Sequence, residues 1–200
     1  MSRQRMWAVV RAGITTERVA LAGAELADEI GFDRVTVAEV ARRFGVKTAS
    51  LYSHVTSSAD LSQNITLLAL EEMADRAADA VAGRSRLDAL AGLANAYRDY
   101  AREHPGRFAA TLAALDPEIV ATSAGPRHAR LIEAVLHGYE LDRTAQVHAI
   151  RMLGSVVRGF ITLEMSGSFA HSEPDPGESW TATIEALHAL LCSWPTADVT

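Results

Sequence analysis

TVAEVARRFGVKTASLYSHV, residues 36–55, reads as two short helices joined by a sharp turn. Thr36 and Glu39 have the spacing of a capping box, whose side chains satisfy two orphan amides at a helix start. Val37, Val40, Ala41 and Phe44 then fall at i, i+3, i+4 and i+7, the apolar stripe of an amphipathic helix. Gly45 stands where a left-handed residue ends such a helix, and Val46 turns the chain back to the core. The spacing predicts a second helix over roughly Lys47–His54. It buries Leu51 and Val55 and turns Thr48, Ala49, Ser50, Tyr52, Ser53 and His54 outward. A short polar helix with an aromatic tip, braced by another, is the layout of a helix-turn-helix that reads the major groove of DNA.

Working outward, a preceding helix is expected over about Thr15–Glu29, with Val19, Gly23, Leu26 and Ile30 on one face and Gly31 ending it. Small residues at Ala20, Gly23, Ala24 and Ala27 let neighbouring helices approach closely. Residues 1–14 carry arginines and little periodicity, and read as a partly mobile arm. Arg3, Arg5 and Arg11 in it either enter a minor groove or float. Downstream, Ser57 and Asp60 resemble another capping box, opening a long helix to about Ala82 that bears Leu61, Ile65, Leu68, Ala69 and Met73. The expected division is a DNA-binding head at 1–57 and an effector-binding and dimerisation body at 58–200, with the helix 58–82 as connector. The body reads as helical throughout, near 86–104, 106–114, 117–137, 142–166 and 178–193. Gly125-Pro126 is the point where the third of these would divide. A turn-rich loop spans Ser166 to Gly177. The fold class is therefore all-α: a three-helix head plus a helical bundle holding a ligand pocket and a dimer interface.

The chain's 200 residues are 48% hydrophobic, enough for a core that buries about 70% of the unfolded surface. Its net charge of −6 argues against a protein coated in nucleic acid, but residues 1–57 carry +2 and the remainder −8. A mildly basic head on an acidic body suits contact with DNA at one end. Lys47, the only lysine against eighteen arginines, opens the predicted second helix. Cys192 is the only cysteine and reads as a small core residue beside Leu190, Leu191 and Trp194. With no internal disulfide and no secretion signal, a reducing cytoplasm is the expected compartment. No apolar run approaches the roughly eighteen residues of a membrane span.

Residues 13–61, GITTERVALAGAELADEIGFDRVTVAEVARRFGVKTASLYSHVTSSADL, resemble the head of the TetR family of transcriptional regulators. The tightest marks are Glu29-Ile-Gly31-Phe32, the T-V-A-E-V-A-x-x-F-G-V helix and Leu51-Tyr52-x-His54-Val55. GFITLEMSGSF at 159–169, followed by Ser179-Trp180, is similar to one recurrent subgroup of the family's C-terminal domains. The resemblance implies a dimeric, ligand-responsive repressor on a palindromic double-stranded operator. It implies that Thr36 caps the supporting helix close to a phosphate. Thr48, Ala49, Ser50 and Ser53 face the bases, and Tyr52 and His54 lie against the backbone. Lys47 is a further contact candidate, and Arg42 and Arg43 are either a solvated face or phosphate contacts. Many relatives place a lysine on a phosphate at the start of the next helix, where Ser57-Ser58 stand here. The amides around Ser58 can still hold that phosphate. With so few cations facing the bases, site preference leans on spacing and DNA shape.

The residues offer catalysis no foothold: there is no phosphate loop, nucleophile elbow or cysteine pair, and neither an enzyme, a cofactor nor a metal site is expected. Glu185-x-x-His188 has the spacing of a carboxylate-bridged di-metal bundle but lacks a second copy, since Glu133 to His137 is one residue too long. An unknown small-molecule effector is expected in the body, with Tyr97, Phe108, His137, Met152, Arg158, Phe160 and Glu164 as candidate contacts. Arg158 and Glu164 are polar anchors if they point inward and interface residues otherwise. Homodimerisation is expected through 142–166 and 178–193, burying Ile150, Leu153, Val157, Ile161, Ile184, Leu187, Leu191 and Trp194. The alternative is a helical small-molecule-binding dimer of the same fold that has lost sequence-specific DNA binding.

Overall fold

A computed structural model of the chain describes residues 13–194, so Arg3, Arg5 and Arg11 lie outside the described residues. Among these, the chain forms α1 (Thr16–Ile30), α2 (Val37–Phe44), α3 (Ser58–Val81), α4 (Arg86–Glu103) and α5 (Pro105–Ala110). These are followed by α6 (Pro117–Thr122), α7 (Gly125–Leu136), α8 (Arg143–Met165) and α9 (Pro176–Cys192). The segment 117–137 is thus two helices, divided where the Gly125 N–H bonds Ser123 Oγ at 3.0 Å and Pro126 opens the new helix. Two compact units result: residues up to Glu72 with His104–Ile119, and Met73–Glu103 with residues from Val120 onward.

In the first unit, Thr15 caps α1 by accepting the Arg18 N–H at 3.3 Å, and Thr36 caps α2 by accepting that of Glu39 at 3.2 Å. The second half of the Thr36 box is not closed, because the Glu39 carboxylate pairs with Arg42 instead. Gly45 has φ +70°, the left-handed conformation that only glycine adopts freely, and its N–H returns to the last carbonyls of α2. The core gathers Val19, Leu26, Val37, Val40, Leu51 and Val55 together with Leu61 and Ile65 from α3. Gly23 makes room for that helix: a Cβ there would sit 2.7 Å from Ile65 Cδ1. The unit extends past residue 57 for this reason.

α5 joins the same unit by direct backbone contact with α1, a Cβ on Gly106 falling 2.0 Å from the Ala27 carbonyl oxygen. Arg107 fastens it. Its main-chain N–H donates to Asp28 Oδ1 at 2.9 Å, and its guanidinium pairs with Asp28 at 3.0 Å and Glu72 at 2.9 Å. Thr66 of α3 donates to the Ala110 carbonyl at 3.2 Å.

The second unit is built on α4, α7, α8 and α9 around Tyr100, Leu90, Leu136, Ile161 and Leu191. Glu164 of α8 accepts from Arg98 Nε at 2.8 Å and from Arg102 Nη2 at 2.9 Å. The Arg98 hydrogen bonds, more than any other influence, hold its carboxyl below the usual range, against an opposing push from burial. Arg98 also lies 5.0 Å over the Trp180 ring, and Trp180 donates to Asn95 Oδ1 at 2.7 Å. Phe160 packs on both Trp180 and Phe169. The 159–169 segment and the Ser-Trp pair are therefore one packed cluster.

Two sequence expectations need correction. Leu153, Val157, Ile161, Ile184, Leu187 and Leu191 are buried inside the unit, so they cannot also supply an intersubunit surface. Ile150 and Trp194 are half-buried. Cys192 is exposed rather than core, because it lies one helical step beyond Leu191 and faces His188 and Arg86.

Candidate nucleic-acid interface and ligand cavity

The predicted second helix over Lys47–His54 is instead a 3-10 helix, Thr48–Leu51, followed by turns. Lys47 offers no side-chain cap, and Ser50 N–H bonds back to the Lys47 carbonyl at 2.9 Å. Ser53 Oγ donates to the Ser50 carbonyl at 3.1 Å. Such local side-chain bonds compete with the α ladder, and tighter i→i+3 turns are the usual outcome in a segment this short. Leu51 and Val55 are buried beneath it, as their spacing requires. Lys47, Ala49, Ser50 and Ser53 are exposed, Tyr52 is 52% exposed, and Thr48 and His54 are half-buried. The outward array expected from the sequence is thus displayed, with Thr48 and His54 partly tucked against the unit.

Charge around this array is largely spoken for. Arg42 pairs with Glu39, and Arg43 bridges Glu29 at 2.7 Å and Glu25 at 2.9 Å. Among the described residues, Lys47 has no carboxylate partner. At the start of α3, where Thr36's counterpart role falls to Ser57, the Asp60 N–H bonds Ser57 Oγ at 3.0 Å. Asp60 reaches back to the Thr56 N–H at 2.7 Å, one residue earlier than a capping box requires. Ser58 is exposed beside it. A carboxylate at this helix start interacts favourably with the helix dipole, and it lowers the positive potential offered to a phosphate there.

In the second unit a cavity of about 50 Å³, open to solvent at its mouth, is lined by Leu90, Leu93, Ala94 and Tyr97 of α4, His128 and Ile132 of α7, and Leu153, Gly154, Val157 and Arg158 of α8. Tyr97 and Arg158 are therefore at the cavity. Burial pushes the Tyr97 hydroxyl up to about 12, against the opposing field of Arg158, so it stays protonated at neutral pH. It shares a hydrogen bond with His128 Nδ1, 2.7 Å away, in which the donor is set by the imidazole tautomer.

The other candidates lie elsewhere. Phe108 is buried in the first unit. His137 is exposed, with Nδ1 on the Glu133 carbonyl. Met152 is half-buried off the lining, Phe160 belongs to the ring cluster, and Glu164 is held by Arg98 and Arg102. Sequence reasoning missed His128, because Gly125-Pro126-Arg-His128 carries no apolar periodicity that would mark it as buried. It missed Gly154 because a helix-interior glycine gives no sign of the space beside it. His188 of the Glu-x-x-His pair bonds Tyr139 at 2.7 Å. Among the described residues no three His, Cys, Asp or Glu side chains gather as a metal site, and no helix is long and apolar enough to cross a membrane.

Residues 21–63 match the family described as "Bacterial regulatory proteins, tetR family", and residues 90–187 match "Tetracyclin repressor-like, C-terminal domain". The chain is 37% identical over 144 residues to the uncharacterized HTH-type transcriptional regulator Rv0681 of Mycobacterium tuberculosis. That match covers 70% of this chain and 65% of the relative, just under two thirds of its length. It is 32% identical over 185 residues to the uncharacterized HTH-type transcriptional regulator YobS of Bacillus subtilis, covering 90% of this chain and 95% of that one. A solved structure of a protein of unknown function from Rhodococcus sp. RHA1 shares the fold, with a TM-score of 0.73 at 19% identity, covering 91% and 98% of the two chains. With two segments of the chain matching models of this family, and a 32% identical regulator aligned almost end to end, the chain belongs to the TetR family of bacterial regulatory proteins, non-enzymatic DNA-binding regulators of transcription.

Proposed function

We propose that this protein is a cytoplasmic, ligand-responsive repressor that binds a palindromic operator as a homodimer. The observation that carries the reading is the exposed polar array on Lys47–His54, held over the buried Leu51 and Val55. Ala49, Ser50 and Ser53 meet base edges together with Thr48, while Tyr52, His54, Thr36 and the amides around Ser58 take phosphates. Residues 1–57 do the reading, α3 connects, and residues 58–200 hold effector and partner.

The dimer uses the outer faces of α8 and α9, where Val147, Leu163 and Leu190 are exposed large apolar residues. Between them lie the exposed small residues Ser155, Gly159, Ala182, Ala186 and Ala189, which permit close helix approach. An effector in the cavity shifts operator affinity only by its differential affinity for the DNA-competent and DNA-incompetent states.

The test is fluorescence anisotropy with duplexes from upstream of the protein's own gene, alongside a scrambled duplex and Tyr52→Ala. Selective binding that weakens steeply with salt, and at least tenfold weaker binding by the variant, is expected. Equal, weak binding of both duplexes, followed by a genome-wide selection that enriches no bound fragment, would remove the operator reading.

A further inference from the structure

We propose that the cavity takes an apolar monocarboxylate, its hydrocarbon tail against Leu90, Leu93, Ile132 and Val157 and its carboxylate on the Arg158 guanidinium. This rests on reading the cavity as the effector site and adds the chemical class of the effector.

Three observations converge. Arg158 lines a cavity whose other walls are almost wholly apolar, and among the described residues no carboxylate pairs with it. The arginines nearest in kind are committed: Arg98 and Arg102 to Glu164, and Arg127 to Asp75. A guanidinium left without a counter-ion beside apolar surface presents a planar fork of donors that matches a carboxylate. Secondly, no Asp or Glu lines the cavity, and its other polar pair, Tyr97 and His128, is joined by a hydrogen bond of 2.7 Å. The lining thus carries the positive charge of Arg158 and no carboxylate, so a cation is repelled and a neutral guest leaves the fork unmatched.

The third observation concerns space. Gly154 sits inside α8, where glycine costs about 1 kcal/mol relative to alanine, yet a Cβ there would meet nothing within 4 Å. Close helix packing therefore does not explain this glycine. The room it leaves opens on the cavity, one turn from Arg158, and suits a tail that continues from the anchored head group.

The experiment is calorimetric titration of the full-length protein with octanoate, 1-octanol and octylamine, which share one tail and differ in head-group charge. Octanoate is expected to bind at least tenfold more tightly than 1-octanol, with octylamine weakest. Arg158→Gln should bring octanoate to the level of 1-octanol, Gly154→Leu should abolish both, and Gly154→Ala should retain both. The comparison of ligands on the unaltered protein needs no variant, so misfolding of a substituted chain, checked by circular dichroism, cannot blunt it. Equal binding of octanoate and 1-octanol, both lost in Gly154→Leu, overturns the carboxylate while leaving a ligand cavity. No binding at all, or octanoate binding untouched by either Arg158→Gln or Gly154→Leu, overturns the proposal outright. Release of bound DNA by octanoate, read separately by anisotropy, reports on the regulatory reading and not on the binding itself.

Discussion

Two chemically identical substitutions, Gly106→Ala and Gly154→Ala, should change stability in opposite directions. At Gly106 the added methyl would lie 2.0 Å from the Ala27 oxygen, 2.1 Å from its carbonyl carbon and 2.5 Å from the Asp28 nitrogen. All three are backbone atoms of α1, and the Ala27 carbonyl also accepts the Gly31 N–H at 2.8 Å, so the obstacle cannot rotate away. α5 must lift off α1 by more than an ångström. Overpacking of this kind costs about 1–3 kcal/mol and sometimes more. Lifting α5 also strains the Arg107 N–H bond to Asp28, worth about 1.5–3 kcal/mol with a charged acceptor. The helical gain of alanine over glycine returns about 1 kcal/mol, leaving a net loss of about 2 kcal/mol or more. For a chain of this length that lowers the thermal midpoint by about 4–8 °C. Gly154→Ala keeps the helical gain without a clash and should raise the midpoint by about 1–4 °C. Thermal unfolding followed by circular dichroism at one fixed protein concentration measures both, which matters for any oligomer. A Gly106→Ala protein as stable as the parent would refute the rigid α1–α5 contact, and a destabilised Gly154→Ala protein would refute the empty space beside α8.

Three further outcomes are expected. Gly159→Trp, placed on the outer face of α8 where a Cβ meets nothing within 4 Å, should leave the helical content intact and shift the protein to monomer in sedimentation velocity; an unchanged dimer would move the interface elsewhere. Thr36→Ala removes the bond that caps α2 and should cost about 1 kcal/mol, read from urea denaturation, whereas Thr36→Ser should cost less. The Glu164 carboxyl is held below the ordinary glutamate value of 4.5 by Arg98 first, so its contribution is present above that pH and is lost as pH falls through the lower folded value. The parent's midpoint should therefore fall more steeply than that of Glu164→Gln over this acid window, and parallel curves would show the pair contributes nothing.

The sequence by itself determined the all-α class, the head's helix starts at Thr15 and Thr36, the Gly31 and Gly45 stops, and the burial of Leu51 and Val55. These are local matters: a cap acts within one turn, a left-handed stop within one residue, and an apolar stripe is periodic along its own helix. It was less reliable where short-range bonds compete. The Thr48–Leu51 segment has outward polar residues in the expected order, yet Ser53 and the backbone tighten it into a 3-10 turn.

What depended on partners distant in sequence was not legible. The apolar residues of α8 and α9 could have served a subunit interface or an interior. Only the packing of α4 and α7 against them shows that Leu153, Val157, Ile161, Ile184, Leu187 and Leu191 are spent inside the chain. Glu164 and Arg158 lie on one helix and looked equivalent as anchors. The tertiary structure separates them, because Arg98 and Arg102 arrive from α4 to claim Glu164 while no carboxylate among the described residues arrives for Arg158. A side chain's charge and helical phase are written in its own neighbourhood of sequence; whether another helix brings it a counter-ion, a wall or an empty space is decided only when the helices meet.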